Sequence, residues 1–197
     1  MIDLGNIRRF QTRYTEAESL IDEGTKLYAQ SQGADHPNVA FGLTSLATAH
    51  YYEGRYDLAE QDARAALTIV EKIPKGSHYY AGVSVALGRI LNKTGRSREA
   101  EPLMRQALAI REQKSPRLSN YVAIALGSLG ECLTTQKRYA EAEPLLNESY
   151  QTLSSLHVPQ SPVLKEARER LASLYAAWGK PEDAARYRAT SLSGRQK

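Results

Sequence analysis

Residues 54–60 read Gly-Arg-Tyr-Asp-Leu-Ala-Glu, and the chain returns to that pattern four more times. It reads Thr-Arg-Tyr-Thr-Glu-Ala-Glu from residue 12, Gly-Arg-Ser-Arg-Glu-Ala-Glu from 95, Lys-Arg-Tyr-Ala-Glu-Ala-Glu from 137 and, more loosely, Gly-Lys-Pro-Glu-Asp-Ala-Ala from 179. The starts lie 42, 41, 42 and 42 residues apart. A fixed period of this size marks a repeat array, in which no unit buries its apolar face alone and each must stack on its neighbours. One continuous domain is therefore expected.

Upstream of each of these stretches lies an apolar segment with helical spacing. Leu4, Leu46, Leu87, Leu129 and Leu171 are equivalent, and each is followed by a small residue: Gly5, Ala47, Gly88, Gly130 and Ala172. A large residue beside a tiny one repeats where two helices approach closely, because the missing side chain lets the partner ridge sink in. One turn on come Ile7, Ala49, Ile90, Cys132 and Leu174, completing the inner stripe of a first helix, A. Gly54, Gly95 and Gly179 then supply the backbone freedom of a helix end, at a position that also takes Thr12 and Lys137. Ala17, Ala59, Ala100, Ala142 and Ala184, with Leu20, Ala63, Met104 and Leu146 about a turn later, outline a second amphipathic helix, B. Pro102 and Pro144 fall early in B helices, where they need not break them.

The loops between hairpins contain Asp35-His36-Pro37, Pro74 and Ser77, Ser115-Pro116 and Ser161-Pro162. An Asp or Ser just before Pro reads as an N-cap followed by a first-turn proline, so each marks the next A helix. Pro116 falls four residues early in the register, so its A helix either starts a turn sooner or follows a longer loop. The expected fold is all-α, a right-handed α-solenoid of antiparallel helix pairs with about four and a half repeats. The expected boundaries are a partial repeat over 1–34, repeats over 35–76, 77–117, 118–160 and 161–192, and a polar tail over 193–197. Because the chain opens near the repeated leucine, the first hairpin is expected to lack its front half, as in a fragment of a longer protein.

Composition narrows the class of work. No stretch approaches the ~18 apolar residues of a membrane span, and the early Asp3 argues against a signal peptide. Cys132, the one cysteine, is expected in the core, and the location reads as cytoplasmic. The net charge of +4 is uneven: residues 89–117 hold eight basic side chains against three acids, and the rest of the chain is slightly acidic. A basic middle suits acidic peptides or nucleic acid, although scattered Lys and Arg more often form a solvated face.

These residues resemble tetratricopeptide repeats in their Leu-small-x-x-apolar helix, Gly-x-Tyr turn and Ala-Glu second helix. The common form of that repeat is about 34 residues long, and HEAT or armadillo repeats of ~40–47 residues are the structural competitor. The loop at residues 35–40 and the Ala-Glu-Pro-Leu runs at 100–103 and 142–145 look like the longer repeats of the kinesin light chain type. The segment containing Tyr175, Trp178, Gly179, Pro181 and Tyr187 is similar to the closing repeat of arrays at the C-termini of bacterial serine/threonine protein kinases. That likeness implies a bacterial, kinase-associated chain at the non-catalytic end of a signalling protein, since no phosphate loop, His-Arg-Asp or Asp-Phe-Gly motif is present.

The four histidines have no second ligand at metal spacing. The acid pairs Glu16 with Glu18 and Glu141 with Glu143 recur with the repeat and belong to its scaffold. No enzyme activity, metal or cofactor is expected. The family resemblance implies instead a concave groove walled by A-helix residues two, five and six positions beyond each repeated leucine. That face carries Asn6, Arg9 and Phe10, then Thr48, Tyr51 and Tyr52, then Arg89, Asn92 and Lys93, then Glu131. Arg forks carboxylates and Tyr offers flat contact area at low entropic cost, so an acidic or aromatic peptide is the expected ligand. Arg105 and Arg111 are expected on the solvated outer face of a B helix. The alternatives are a nucleic-acid-binding array using the basic middle and a homodimer through the incomplete first hairpin, where Leu4, Ile7 and Phe10 lack a cover.

Overall fold

The period resolves into alternating helices: α1 (Ile2–Phe10), α2 (Tyr14–Gln32), α3 (Pro37–Glu53), α4 (Tyr56–Val70), α5 (His78–Lys93), α6 (Ser97–Lys114), α7 (Asn120–Thr135), α8 (Tyr139–Leu156), α9 (Pro162–Ala177) and α10 (Pro181–Ala189). The structure, a computed structural model, describes residues 1–74, 76–116, 119–157 and 161–189. The polar tail expected over 193–197 lies outside them. The fold is all-α. Odd-numbered helices are the A helices and even-numbered ones the B helices.

The helix after Pro116 does not start a turn sooner. Helices α3, α5, α7 and α9 begin at residues 37, 78, 120 and 162, so the helix after Pro116 keeps the register. Ser115 therefore does not cap it: the Ser119 hydroxyl accepts from the Val122 N–H at 3.3 Å. Ser77 does the same for α5, accepting from the Tyr80 N–H at 3.1 Å. At α3 the cap is His36, not Asp35, because its Nδ1 accepts from the Asn38 N–H at 3.2 Å just ahead of the first-turn Pro37. Helices α6 and α8 continue through Pro102 and Pro144.

Every hairpin turn passes through the left-handed region, with φ of 59° at Thr12, 85° at Gly54, 83° at Gly95, 62° at Lys137 and 77° at Gly179. The N–H of the next residue reaches back five residues in each case, as from Arg55 to the His50 carbonyl at 2.9 Å and from Arg138 to the Leu133 carbonyl at 2.9 Å. That closes the helix with a Schellman-type bond and satisfies a carbonyl that would otherwise be orphaned.

The buried stripe follows the repeat. Leu87, Leu129 and Leu171 are nearly inaccessible, and the B-helix alanines Ala17, Ala59, Ala100 and Ala142 are fully buried. At Gly5 and Gly130 the small residue after the leucine answers to the large one sixteen residues later. A Cβ on Gly5 would lie 2.5 Å from Ile21, and one on Gly130 would lie 2.6 Å from Leu146. Where Ala47 replaces the glycine, the residue sixteen further on shrinks to Ala63. Ile21 thus fills the first B-helix core position, and Leu20 is only half-buried: the repeat spacing is kept to the single residue because a slip would put a side chain into the glycine's place.

The helices group into two compact units, Met1–Arg96 and Ser97–Lys197. In the first, successive helices α1 to α5 pack on one another, and the A helices also touch, α1 with α3 and α3 with α5. In the second, α6 to α10 pack in the same way, with α7 against α9. The nine-residue α1 leaves Leu4 44%, Ile7 52% and Phe10 45% exposed. Residues equivalent to Leu4 and Ile7 are buried in every later A helix, because the preceding B helix lies over them.

Candidate functional site

The A helices of the first unit bring Arg9, Phe10, Tyr51, Tyr52 and Arg89 together. Tyr51 and Tyr52 close α3, and their rings meet edge to face with centroids 5.3 Å apart. From α5, the Arg89 guanidinium lies 4.7 Å from the Tyr51 ring and 5.3 Å from the Tyr52 ring, and its Nη2 donates to the Tyr52 hydroxyl at 3.2 Å. From α1, the Arg9 guanidinium lies 5.0 Å from the Tyr52 ring and 4.1 Å from the Phe10 ring. Tyr52 is therefore flanked by a cation from each neighbouring A helix while remaining 37% exposed, with Phe10 exposed beside Arg9. A small recess next to the cluster is lined by Ala47, Thr48, Tyr51, Ala86, Arg89 and Ile90. Cation–π stacking places a guanidinium's face against the ring. Such a surface puts flat aromatic area and positive charge side by side.

The other expected groove residues are placed differently. Thr48 is half-buried and its hydroxyl donates to the Thr44 carbonyl at 2.8 Å. Asn6 donates to the Ser45 hydroxyl at 3.3 Å, a contact between α1 and α3. Asn92 is buried, and its Oδ1 meets no hydrogen-bond partner among the described residues. Lys93 is exposed. Glu131 belongs to the second unit, where it accepts from the buried Arg170 at 2.8 Å, and Arg170 also holds Glu166 at 3.0 Å.

Each unit also carries ion pairs that recur with the repeat. The cation after each hairpin turn takes the glutamate that closes the Ala-Glu of the preceding hairpin. Arg55 holds Glu18 at 2.8 Å and Arg138 holds Glu101 at 2.7 Å; Arg96 donates to Glu60 at 3.0 Å, and Lys180 reaches Glu143 at 4.0 Å. The recurring acids are thus the joints between hairpins. The recurrence of Arg13, Arg55, Arg96, Arg138 and Lys180 at the repeat period is the signal that could have announced them. Burial alone would raise Glu101, yet hydrogen bonds from Gln136, Arg105 and Arg138 outweigh it and hold its pKa down at about 2.

The first unit has an added charged node. His50 is buried in α3, with Nδ1 2.8 Å from Asp62 Oδ2 on α4 and Nε2 3.3 Å from Glu18 Oε1 on α2. The hydrogen bond to Asp62, helped by Glu18, raises the imidazole pKa despite the opposing effect of burial. The equivalent positions in α5 and α7 are the buried leucines Leu91 and Leu133. No group of three or more His, Cys, Asp or Glu side chains among the described residues is arranged to hold a metal ion. No helix among them is long and apolar enough to cross a membrane.

The tetratricopeptide repeat pattern matches residues 1–72, 41–113 and 121–197, and a second pattern of the same family matches 85–156. The chain belongs to the tetratricopeptide repeat family. No curated protein matches the chain. Among solved structures, this tetratricopeptide array is similar to the TPR-like repeats of a Podosopora anserina protein described as a kinesin light chain, with TM-score 0.67 and 18% identity over 99% of this chain and 95% of that one. A Rap protein complexed with Competence and Sporulation Factor gives TM-score 0.78 at 17% identity, over 94% of this chain and 50% of that one. Bacillus thuringiensis PlcR, in complex with the peptide PapR7 and DNA, gives 0.62 at 17% over 99% and 72%. At these identities the likeness is one of fold.

Proposed function

We propose that this chain is a non-catalytic interaction scaffold whose first unit binds a peptide bearing aromatic and acidic residues across α1, α3 and α5. The observation that carries the reading is the exposed Tyr52 ring flanked by the guanidinium groups of Arg9 and Arg89. An aromatic side chain finds a rigid platform there, and an acidic one is drawn by the positive charge on either side of it. PlcR in complex with the peptide PapR7 and the Rap protein complexed with Competence and Sporulation Factor support the reading as ligand-bound proteins of this fold.

Selection from a displayed peptide library tests it. Peptides rich in Asp or Glu and in aromatic residues are expected to be enriched, and Arg89→Glu combined with Tyr52→Ala should weaken the selected peptide by at least about tenfold. Lys26→Glu, at a highly exposed position on α2, should leave affinity unchanged. Equal binding to wild type and the double variant would remove the site from this face. The nucleic-acid alternative has less support, since Arg96 and Arg105 in the basic middle are engaged by Glu60 and Glu101.

A second partner reading rests on α1. Its exposed Leu4, Ile7 and Phe10 favour burial against another copy of this chain. Sedimentation over roughly a hundredfold range of concentration should show mass-action dimerisation, lost in Leu4→Glu with Ile7→Glu. A monomer throughout the range would end that reading.

A further inference from the structure

Arg111 occupies a place that the repeat reserves for apolar side chains. It stands sixteen residues after Gly95, and the same offset gives Tyr28, Val70 and Leu153. Val70 and Leu153 are core residues. In α6 a guanidinium takes that position, half-buried, with its Nε inaccessible and without a hydrogen-bond partner among the described residues. Burial pushes its pKa down, and among the described residues only Tyr121 opposes it. Two other arginines of the second unit, one half-buried and one buried, are neutralised within the chain. Arg138 holds both Glu101 and Glu141 at 2.7 Å, and Arg170 holds Glu131 and Glu166. Arg111 forms no ion pair with a carboxylate among the described residues.

What covers Arg111 is the ring of Tyr121 from the first turn of α7, 4.6 Å from the guanidinium carbon. Tyr121 is itself 60% exposed, so a large aromatic surface faces solvent directly above a partly desolvated cation. A desolvated charge lacking a counter-charge is strained toward acquiring one, and an electrostatic attraction made there is screened less than at an open surface. The planar guanidinium matches one carboxylate in size, shape and charge.

We infer that Arg111 and Tyr121 form a receptor site in the second unit for an acidic side chain of a partner polypeptide, whose carboxylate supplies the counter-charge missing among the described residues. The aromatic ring packs beside the incoming stem, as aromatic anchors do at protein interfaces. The site does not rest on the reading of α1, α3 and α5. It explains why a core position is given to arginine: a leucine there would pack better and bind nothing.

NMR of the full chain tests it, following the Arg111 Nε–Hε and Tyr121 ring resonances, with N-acetylaspartate methylamide as the carboxylate probe and inorganic phosphate as the comparison. Both resonances should move saturably with the carboxylate. Arg111→Lys, which keeps the charge and loses the fork, should weaken the binding read at Tyr121 about tenfold, and Tyr121→Ala should weaken that read at Arg111 several-fold. Arg111→Leu should abolish the Tyr121 response while raising the denaturation midpoint, as the residue found at position 153 fits the stripe. A response that does not saturate, that survives Arg111→Leu, or that prefers phosphate overturns the proposal. So does a lower denaturation midpoint for Arg111→Leu, which would make the arginine a packing residue.

Discussion

The imidazole of His50 lies between Asp62 and Glu18, with Arg55 bound to the same Glu18 and to Glu53. Because the hydrogen bond to Asp62, helped by the carboxylate of Glu18 3.3 Å away, raises its pKa above the ordinary 6.5, the protonated form is the one the fold favours. The contribution is fully present below pH 6.5 and is lost as pH rises through the raised value. The first unit should therefore be less stable at pH 8.5 than at pH 6, by roughly 1.5–3 kcal/mol at most, the size of a hydrogen bond to a charged group. His50→Leu, copying Leu91 and Leu133, should flatten that dependence; urea midpoints at the two pH values measure both effects. A second residue-scale prediction concerns Lys137, held at φ 62° where three of the other hairpins place glycine. Left-handed backbone costs an L-residue ~1–2 kcal/mol, partly offset by the greater freedom glycine has when unfolded. Lys137→Gly should stabilise the second unit by about 0.5–1 kcal/mol in the same assay.

At the scale of the element, a helix here is defined by its joints. Helices α2, α4, α6 and α8 each carry in their second turn an acid that the next hairpin's turn cation captures: Glu18, Glu60, Glu101 and Glu143. Most such surface pairs contribute little alone. Glu101 differs, because Gln136, Arg105 and Arg138 all converge on it, at 2.9, 2.8 and 2.7 Å. Its pKa, depressed to about 2, means the joint is intact above the ordinary carboxylate value near 4.5 and is lost as pH falls toward 2. Glu101→Gln should lower stability at pH 6 by about 1–2 kcal/mol and shrink the difference between pH 6 and pH 3. A variant that matches wild type at both pH values would show the joint to be decorative. The periodic acids were legible in the sequence, but their partners were not. The sequence period says that Glu101 recurs; only packing says which of several nearby long cations reaches it.

For the whole molecule, the buried cysteine offers a reporter of opening. Cys132 is fully buried in α7, its thiol donates to the Ser97 carbonyl at 3.2 Å, and burial raises its pKa. A buried neutral thiol is a poor nucleophile, so reaction with an aromatic disulfide reagent should proceed only through opening of the second unit. Its rate should rise with urea in step with loss of helical signal. A fast reaction in buffer alone would show that α7 is uncovered far more often than its packing implies.

The hairpin order, the left-handed turn, the buried leucines and the alternation of A and B helices could all be read from the chain itself. The physical reason is that they are local or periodic: a turn needs its backbone conformation within a few residues, and a repeat must bury the same stripe each time. Glycine against Ile21 and Leu146, and Ala47 with Ala63, show the same rule operating on volume. Tertiary structure decided where the long cations go. Arg89 meets Tyr52 across 37 residues, Arg55 meets Glu18 across 37 and Arg96 meets Glu60 across 36, each in the adjacent hairpin. Arginine has many rotamers and several partners within reach at that separation, so the sequence could place Arg9 in the groove and Arg105 and Arg111 on one outer face without giving any of them a partner. Packing sent the first to a tyrosine, the second to Glu101 and the third into the core stripe beneath Tyr121.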